Sequence, residues 1–292
     1  MLGSEFIAQF SGKGLLAWEA AALQLARADS LTPWPWVDLP LTDGVHQLVL
    51  RVQADVVAIG TFEDHVRLPL TPGVGQSILN LQGWLYPTPW IVYQMWRAAP
   101  LKLEPTFLPN AGANLVQYQE HSRIVDEQIR GQGGAPEDPR LRAGMKKHVV
   151  VSNIEKAGRV LIFGWYRPSP PAPDVFDDGR AMASPGRQPV QPRSNVHGDF
   201  YVDYSHGIHA VHGTCLLDGR PAATADVYAD PALAKLVSNE GPLRKVRYPS
   251  PVQPFPGGRP AGTSSYQAAF DVVPDLPLDA DPGLAALVRG RS

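Results

Sequence analysis

Apolar residues recur at helical spacing over 12–28 and stop near Asp29-Ser30, which predicts an amphipathic helix. Thr32-Pro33-Trp34-Pro35-Trp36 then reads as an extended, aromatic-rich connector. His46 to Ile59 alternates and is rich in Val and Leu, and Val66 to Leu70 continues the strand pattern. Residues 46–70 therefore predict a hairpin around Gly60 to Asp64. Thr71-Pro72 and Thr88-Pro89 repeat one helix-start signal, a hydroxyl cap before a proline whose missing N–H costs nothing in the first turn. They predict helices over 73–82 and 90–99.

Residues 101–108 read as extended. The most regular helical pattern spans 113–130, with Leu115, Val116, Ile124, Val125 and Ile129 apolar, and Gly131 to Gly134 stops it. Val149-Val150-Val151 and Val160 to Phe163 predict buried strands joined by a turn at Lys156 to Gly158. Phe200 to Val211 is strand-like, and Asp218-Gly219-Arg220 turns a hairpin into 221–224. Asp230-Pro231 starts a short helix through Val237, and a weak last helix falls at 283–289. Helices and strands do not alternate regularly and no repeat is visible. The expected class is α+β: a single domain with an antiparallel or mixed sheet and helices on one side. Residues 1–40 form an N-terminal helix and connector, 41–245 the core, and 246–292 a Pro-rich extended tail. Residues 168–192 carry seven prolines and predict a mobile insertion or lid. Residues 149–163 and 200–224, both β-rich, turn-bounded and too apolar to be loops, are expected to share a sheet.

Composition narrows the function classes. Of 292 residues, 27 are Gly and 30 Pro, which excludes a helical bundle or coiled coil. Lys+Arg 26 against Asp+Glu 28 gives a net charge of −2, so no nucleic-acid partner is expected. No apolar run is long enough to predict a membrane span. The single cysteine, Cys215, reads as an inert core thiol, with a Cys–His nucleophile as the rarer alternative. Gly3-Ser4-Glu5-Phe6 has the look of a translated cloning site. On that reading a removed signal peptide would make the protein secreted or periplasmic; a native start would make it cytoplasmic. The serine elbow G-x-S-x-G, the nucleotide motifs G-x-G-x-x-G and G-x-x-x-x-G-K-[ST], and H-E-x-x-H are all missing.

Candidate chemistry concentrates in 195–215, which holds four of the eight histidines, His197, His206, His209 and His212. Strand parity sends Phe200, Val202 and Tyr204 toward a core and Tyr201, Asp203 and Ser205 to the other face, with His197 on the same parity. Asp203 and His206 are three apart, so a site using both needs a bulge or turn at Ser205-His206-Gly207. The expectation is Gly207 at positive φ and His206 hydrogen-bonded to Asp203, Tyr201 or a ligand. His197 or His206 would act as base, Asp203 as its orienter, Ser205 as nucleophile and Tyr201 as oxyanion donor. Lys147, Trp165, Gln191 and His121, the last on the polar side of its helix, are candidate substrate contacts. Lys146 and Lys147, paired at a strand start, read as solvated unless they bind an anionic substrate.

Arg187-Gln188-Pro189-Val190-Gln191-Pro192, His197 and Tyr201-Val202-Asp203-Tyr204-Ser205-His206-Gly207 together resemble an uncharacterised bacterial group with the signature G-[KR]-P-[IV]-Q-P…H…Y-V-D-Y-S-H-G. The resemblance runs from Val45 to Leu243 and includes Lys102-Leu103-Glu104-Pro105, His121, Lys146-Lys147 and Gly164-Trp165. It implies no activity. The chain departs from the group at His148, where an Asp is expected, and at Tyr166, where a His is expected; the stretch 168–186 is extra. Ser205-His206-Gly207 is also faintly similar to an element of cell-wall L,D-transpeptidases, but Ile208 stands where those enzymes carry the nucleophilic cysteine.

The residues favour a hydrolase acting on an ester, amide or peptidoglycan-type bond of a small-molecule or polymer substrate, without a cofactor. One alternative is a non-catalytic carbohydrate- or cell-surface-binding or structural module using Trp34, Trp36, Trp84, Trp90 and Trp165. Another is a zinc hydrolase with His197, Asp203 and His206 as ligands.

Overall fold

The computed structural model describes residues 1–109, 112–168, 176–177, 188–250 and 252. Two helices open the chain, α1 (Gly3–Phe10) and α2 (Leu15–Arg27), followed by β1 (Trp36–Thr42), β2 (Gln47–Gln53), β3 (Ala58–Gly60) and β4 (His65–Arg67). Next come α3 (Pro72–Gln82), β5 (Trp84–Leu85), α4 (Pro89–Ala98), β6 (Leu101–Lys102) and α5 (Leu115–Gly131). Then follow β7 (Arg142–Ala143), β8 (Lys147–Val149), β9 (Ile162–Gly164), β10 (Gln191–Ser194) and β11 (His206–Gly207). The last described elements are β12 (Val211–His212), β13 (Thr214–Leu217), β14 (Arg220–Ala223), α6 (Thr224–Ala229) and a short 3₁₀ helix, Ala234–Leu236. The class is α+β.

The largest sheet has six strands in the order β14-β13-β2-β12-β5, with β1 also on β2; a four-stranded sheet runs β10-β9-β8-β11. Residues 149–163 and 200–224 were expected in one sheet. They divide instead: β11 joins β8 in parallel, while β12 to β14 join the six-stranded sheet. The connector's last residue, Trp36, begins a full strand paired with β2 around Asp43, whose carboxylate accepts from the amides of Val45 and His46 at 2.8 and 2.7 Å. The predicted turn at Gly60 to Asp64 is present, but its incoming strand starts only at Ala58, because 54–57 leave the ladder to pack inward.

Gly3-Ser4-Glu5-Phe6 is part of the fold. Phe6 is fully buried, and Ser4 bonds the Asp64 carboxylate through its amide at 2.8 Å and its hydroxyl at 2.5 Å. Thr88 caps α4, its hydroxyl accepting from Ile91 N at 3.1 Å. Thr71 precedes α3 as expected but makes no cap bond; its amide and hydroxyl donate to buried Glu19 at 2.6 and 2.7 Å. Asn114 caps α5, accepting from Val116 N at 3.0 Å and Gln117 N at 3.3 Å. The buried face of α5 is Leu115, Tyr118, His121, Ser122, Val125, Asp126 and Ile129, whereas Val116 is exposed. His121 therefore faces inward, which corrects its expected place on the polar side. Most of the 168–192 insertion and nearly all of the 246–292 tail, with the helix expected at 283–289, lie outside the described residues. Phe176 is an exception: it packs on Trp90, Tyr93 and Phe163 at ring distances of 5.7, 5.6 and 5.2 Å.

Candidate functional site

The segment 199–205 is not a strand. Asp203 turns it: its carboxylate accepts from the Ser205 amide at 2.8 Å and from the Ser205 hydroxyl in a shorter bond, while its carbonyl accepts from His206 N at 3.0 Å. Short polar side chains compete with the backbone ladder in this way, and the turn overrides strand parity. Val202, Asp203, Tyr204, Ser205 and His206 are all buried, on both parities, and Phe200, expected in the core, is 39% exposed. The turn sits at 203–206, slightly earlier than expected. Gly207 follows it in β11 with no positive φ, contrary to expectation. Its smallness serves packing: a β-carbon there would meet Lys146 Cβ and Val56 Cγ1, both at 2.9 Å.

Two consecutive lysines grip the turn. The Lys147 amide donates to Ser205 O at 2.7 Å, and the Lys146 ammonium donates to Tyr204 O. Lys146 is fully buried, so the reading of both lysines as solvated does not hold. Burial, with Arg67 nearby, pushes its pKa down to about 7, against the opposing pull of Asp203 and Asp55. Lys147 is half-buried, its ammonium 4.9 Å from the Trp165 ring centroid, and burial lowers its pKa as well. Trp165 is held at φ 62°, an uncommon conformation for a bulky residue. Its ring also packs on Phe107 at 4.6 Å, and its carbonyl accepts from Val190 N at 3.1 Å. A backbone in this region puts Trp165 under Lys147 at a conformational cost, a feature that clusters at functional sites.

Asp203 also accepts from the Tyr201 hydroxyl at 3.1 Å. Burial raises the Asp203 pKa, but His206, the Ser205 hydrogen bonds and Lys147 outweigh it and bring it to about 2. Tyr201 stacks on His197, with ring centroids 3.9 Å apart, and meets the His206 ring edge-on at 5.8 Å. Burial and Asp203 push the Tyr201 phenol up to about 12. His206 is 1% exposed and neither ring nitrogen has a hydrogen-bond partner among the described residues, so the expected bond to Asp203 or Tyr201 is absent. Burial lowers its pKa to about 4 despite Asp203, which leaves a neutral imidazole near pH 7. Burial also lowers the pKa of half-buried His197. Solvent reaches this group through its half-buried members His197, Tyr201 and Lys147.

The structure thus gathers His197, Tyr201, Asp203, Ser205, His206 and Lys147, with Trp165 supporting Lys147. His121 lies behind them, its ring 5.3 Å from that of Tyr204 and both nitrogens without a hydrogen-bond partner among the described residues. Gln191 is opposite Gly164, which in turn pairs with Lys147, but its side-chain amide donates to Pro192 O at 2.8 Å. His148 and Tyr166 are core residues. His148 lies 5.4 Å from the His209 ring, and Tyr166 stacks on Trp96 at 4.9 Å. Cys215 is 2% exposed and burial raises its thiol pKa, as an inert core thiol requires. Among the described residues, no three His, Cys, Asp or Glu side chains are arranged to hold a metal ion. The five tryptophans make no single platform, because Trp34 and Trp165 are buried.

A buried ionic network lies behind the site and was not anticipated. Arg67 donates to both Asp55 carboxylate oxygens, at 2.8 to 3.1 Å, and to Asp126 at 2.8 Å. Burial alone would raise the Asp55 pKa, but Arg67 and Arg142 reverse the shift. The sequence signal was the polar stripe Ser122 and Asp126 beside Val125 on α5. Among the described residues, no helix is long and apolar enough to cross a membrane. The chain matches no protein-family model, no curated protein and no solved structure.

Proposed function

We propose that the protein is a hydrolase acting on an ester, amide or peptidoglycan-type bond, with the cluster at 197–206 as its reactive centre. One observation carries the reading: a buried, ionised Asp203 tied to Ser205 and Tyr201 lies beside a neutral His206 whose ring has no hydrogen-bond partner among the described residues. With a pKa of about 4, His206 is a weak base but stays unprotonated across the neutral range. In the proposed reaction, water attacks the carbonyl carbon and gives its proton to His206. The carbonyl oxygen takes the negative charge, which the Lys147 ammonium stabilises, joined by the Tyr201 hydroxyl when it turns from Asp203 to donate to it. The tetrahedral species collapses, the bond to the leaving group breaks, and His206 returns the proton to that group. Asp203 stays ionised and balances the transient imidazolium. Ser205 keeps Asp203 in place; attack by Ser205 instead of water is the variant that leaves an acyl-enzyme.

The test is a panel of activated esters, peptide amides and peptidoglycan fragments. Hydrolysis of at least one is expected, with a loss of about 10²- to 10⁴-fold in His206→Gln. Mass spectrometry after an activated ester separates the nucleophiles: an adduct on Ser205 indicates serine, and no adduct indicates water. No turnover of any panel member contradicts the proposal.

A further inference from the structure

A groove of about 860 Å³ crosses the six-stranded sheet, lined by Trp36, Asp38, Arg51, His212, Thr214 and Leu216 among others. None of these belongs to the cluster at 197–206. Trp36 is its half-buried wall, set edge-on to Trp84 at 5.2 Å and to His212 at 5.1 Å, with the Arg51 guanidinium 5.8 Å from its ring. The His212 ring is pinned through Nδ1, 3.0 Å from the Thr214 amide nitrogen, so Nε2 is the nitrogen not used there. Asp38 stands directly opposite Arg51 in the β1–β2 register, and the two formal charges cancel. Both are exposed, as is Thr214, and Leu216 is 44% exposed at the rim.

This lining combines an indole wall and aliphatic side chains with closely spaced hydrogen-bonding groups and no net charge from its Asp and Arg. A phosphate or polyanion would call for uncompensated cations. A docked helix or second copy would bury the Asp38 and Arg51 charges and the His212 and Thr214 polar atoms, and so would need a matched partner for each. A sugar ring presents apolar C–H faces and a rim of hydroxyls, and the lining complements both. We propose that this groove binds an uncharged sugar chain, at a place separate from the reactive cluster. The inference does not rest on the hydrolase reading. If that reading holds, the groove would also tether a polymer and raise its concentration at the protein.

Calorimetry and tryptophan fluorescence on the full chain, with neutral hexasaccharides of glucose, N-acetylglucosamine, mannose and xylose, test the proposal. At least one should bind saturably in the range up to about 5 mM. Trp36→Ala should weaken that binding by about 10-fold or more, and Leu216→Arg, which crowds the groove from an exposed position, by a similar factor. Leu216→Arg keeps the test decisive should Trp36→Ala fail to fold. Turnover of the best small ester is followed in the same variants and should not change, so failure of the two readings is seen separately. The proposal is overturned if no neutral hexamer binds, if binding ignores both groove substitutions, or if a charged sugar chain binds in preference to every neutral one.

Discussion

Gly207 has an ordinary φ, and what it supplies is room. A β-carbon 2.9 Å from both Lys146 Cβ and Val56 Cγ1 forces one of them to move. Gly207→Ala should lower stability by about 1–3 kcal/mol in urea unfolding, as overpacking does; an unchanged midpoint would show that the neighbours yield freely. His206 and His209 are buried and neutral, each with its pKa lowered from 6.5 to about 4, burial being the main cause. The unfolded chain then binds protons before the folded one. The stability of the neutral state is complete above pH 6.5 and falls as pH drops from 6.5 to about 4, by roughly 3 kcal/mol per group. Asp203 acts lower down: its stabilisation is present above its ordinary value of 3.8 and is lost as pH falls through about 2. Urea midpoints across this range check both windows; a flat profile between pH 4 and 6.5 would contradict the burial of neutral imidazoles.

At the scale of elements, α5 brings Tyr118, His121, Ser122 and Asp126 inward on a single helix face. Its start rests on the Asn114 cap, so Asn114→Ala should cost about 1 kcal/mol in thermal or urea unfolding. A wild-type midpoint would mean that packing alone sets the start of α5. The legible elements were those encoded by a few adjacent residues. Thr88-Pro89 marks a helix start, Asp218-Gly219 turns β13 into β14, and the Gly60–Asp64 turn joins β3 to β4. The illegible ones depend on distant partners. Nothing local marks β11 as a parallel neighbour of β8, and strand parity at 200–205 gives way to the Asp203 side chain. Within the site, the members in 197–206 were visible because they are close in sequence. Lys146 and the inward turn of His121 were not, since a lysine beside a lysine and a histidine on a helix gain burial only from tertiary packing.

Across the whole molecule, Arg67 joins three parts of the chain: its own strand β4, Asp55 in the 54–57 segment, and Ser122 and Asp126 on α5. A buried pair is costly to break because its partner is left charged and dry. Arg67→Met should therefore destabilise by roughly 3–5 kcal/mol, whereas Arg123→Ala, at an exposed pair with Glu120, should leave the urea midpoint in place. Equal effects of the two would mean that solvent reaches the network. The same burial that keeps water from this network keeps His206 neutral, and the proposed chemistry depends on that. The most direct measurement is the pH dependence of kcat/KM on the best panel substrate, for the wild type and His206→Gln. A rise with pH through about 4 to a plateau near neutrality, with that limb and most of the activity lost in His206→Gln, is the predicted result. An acid limb at the ordinary histidine value near 6.5, or undiminished turnover in His206→Gln, would contradict a buried neutral His206 as the base.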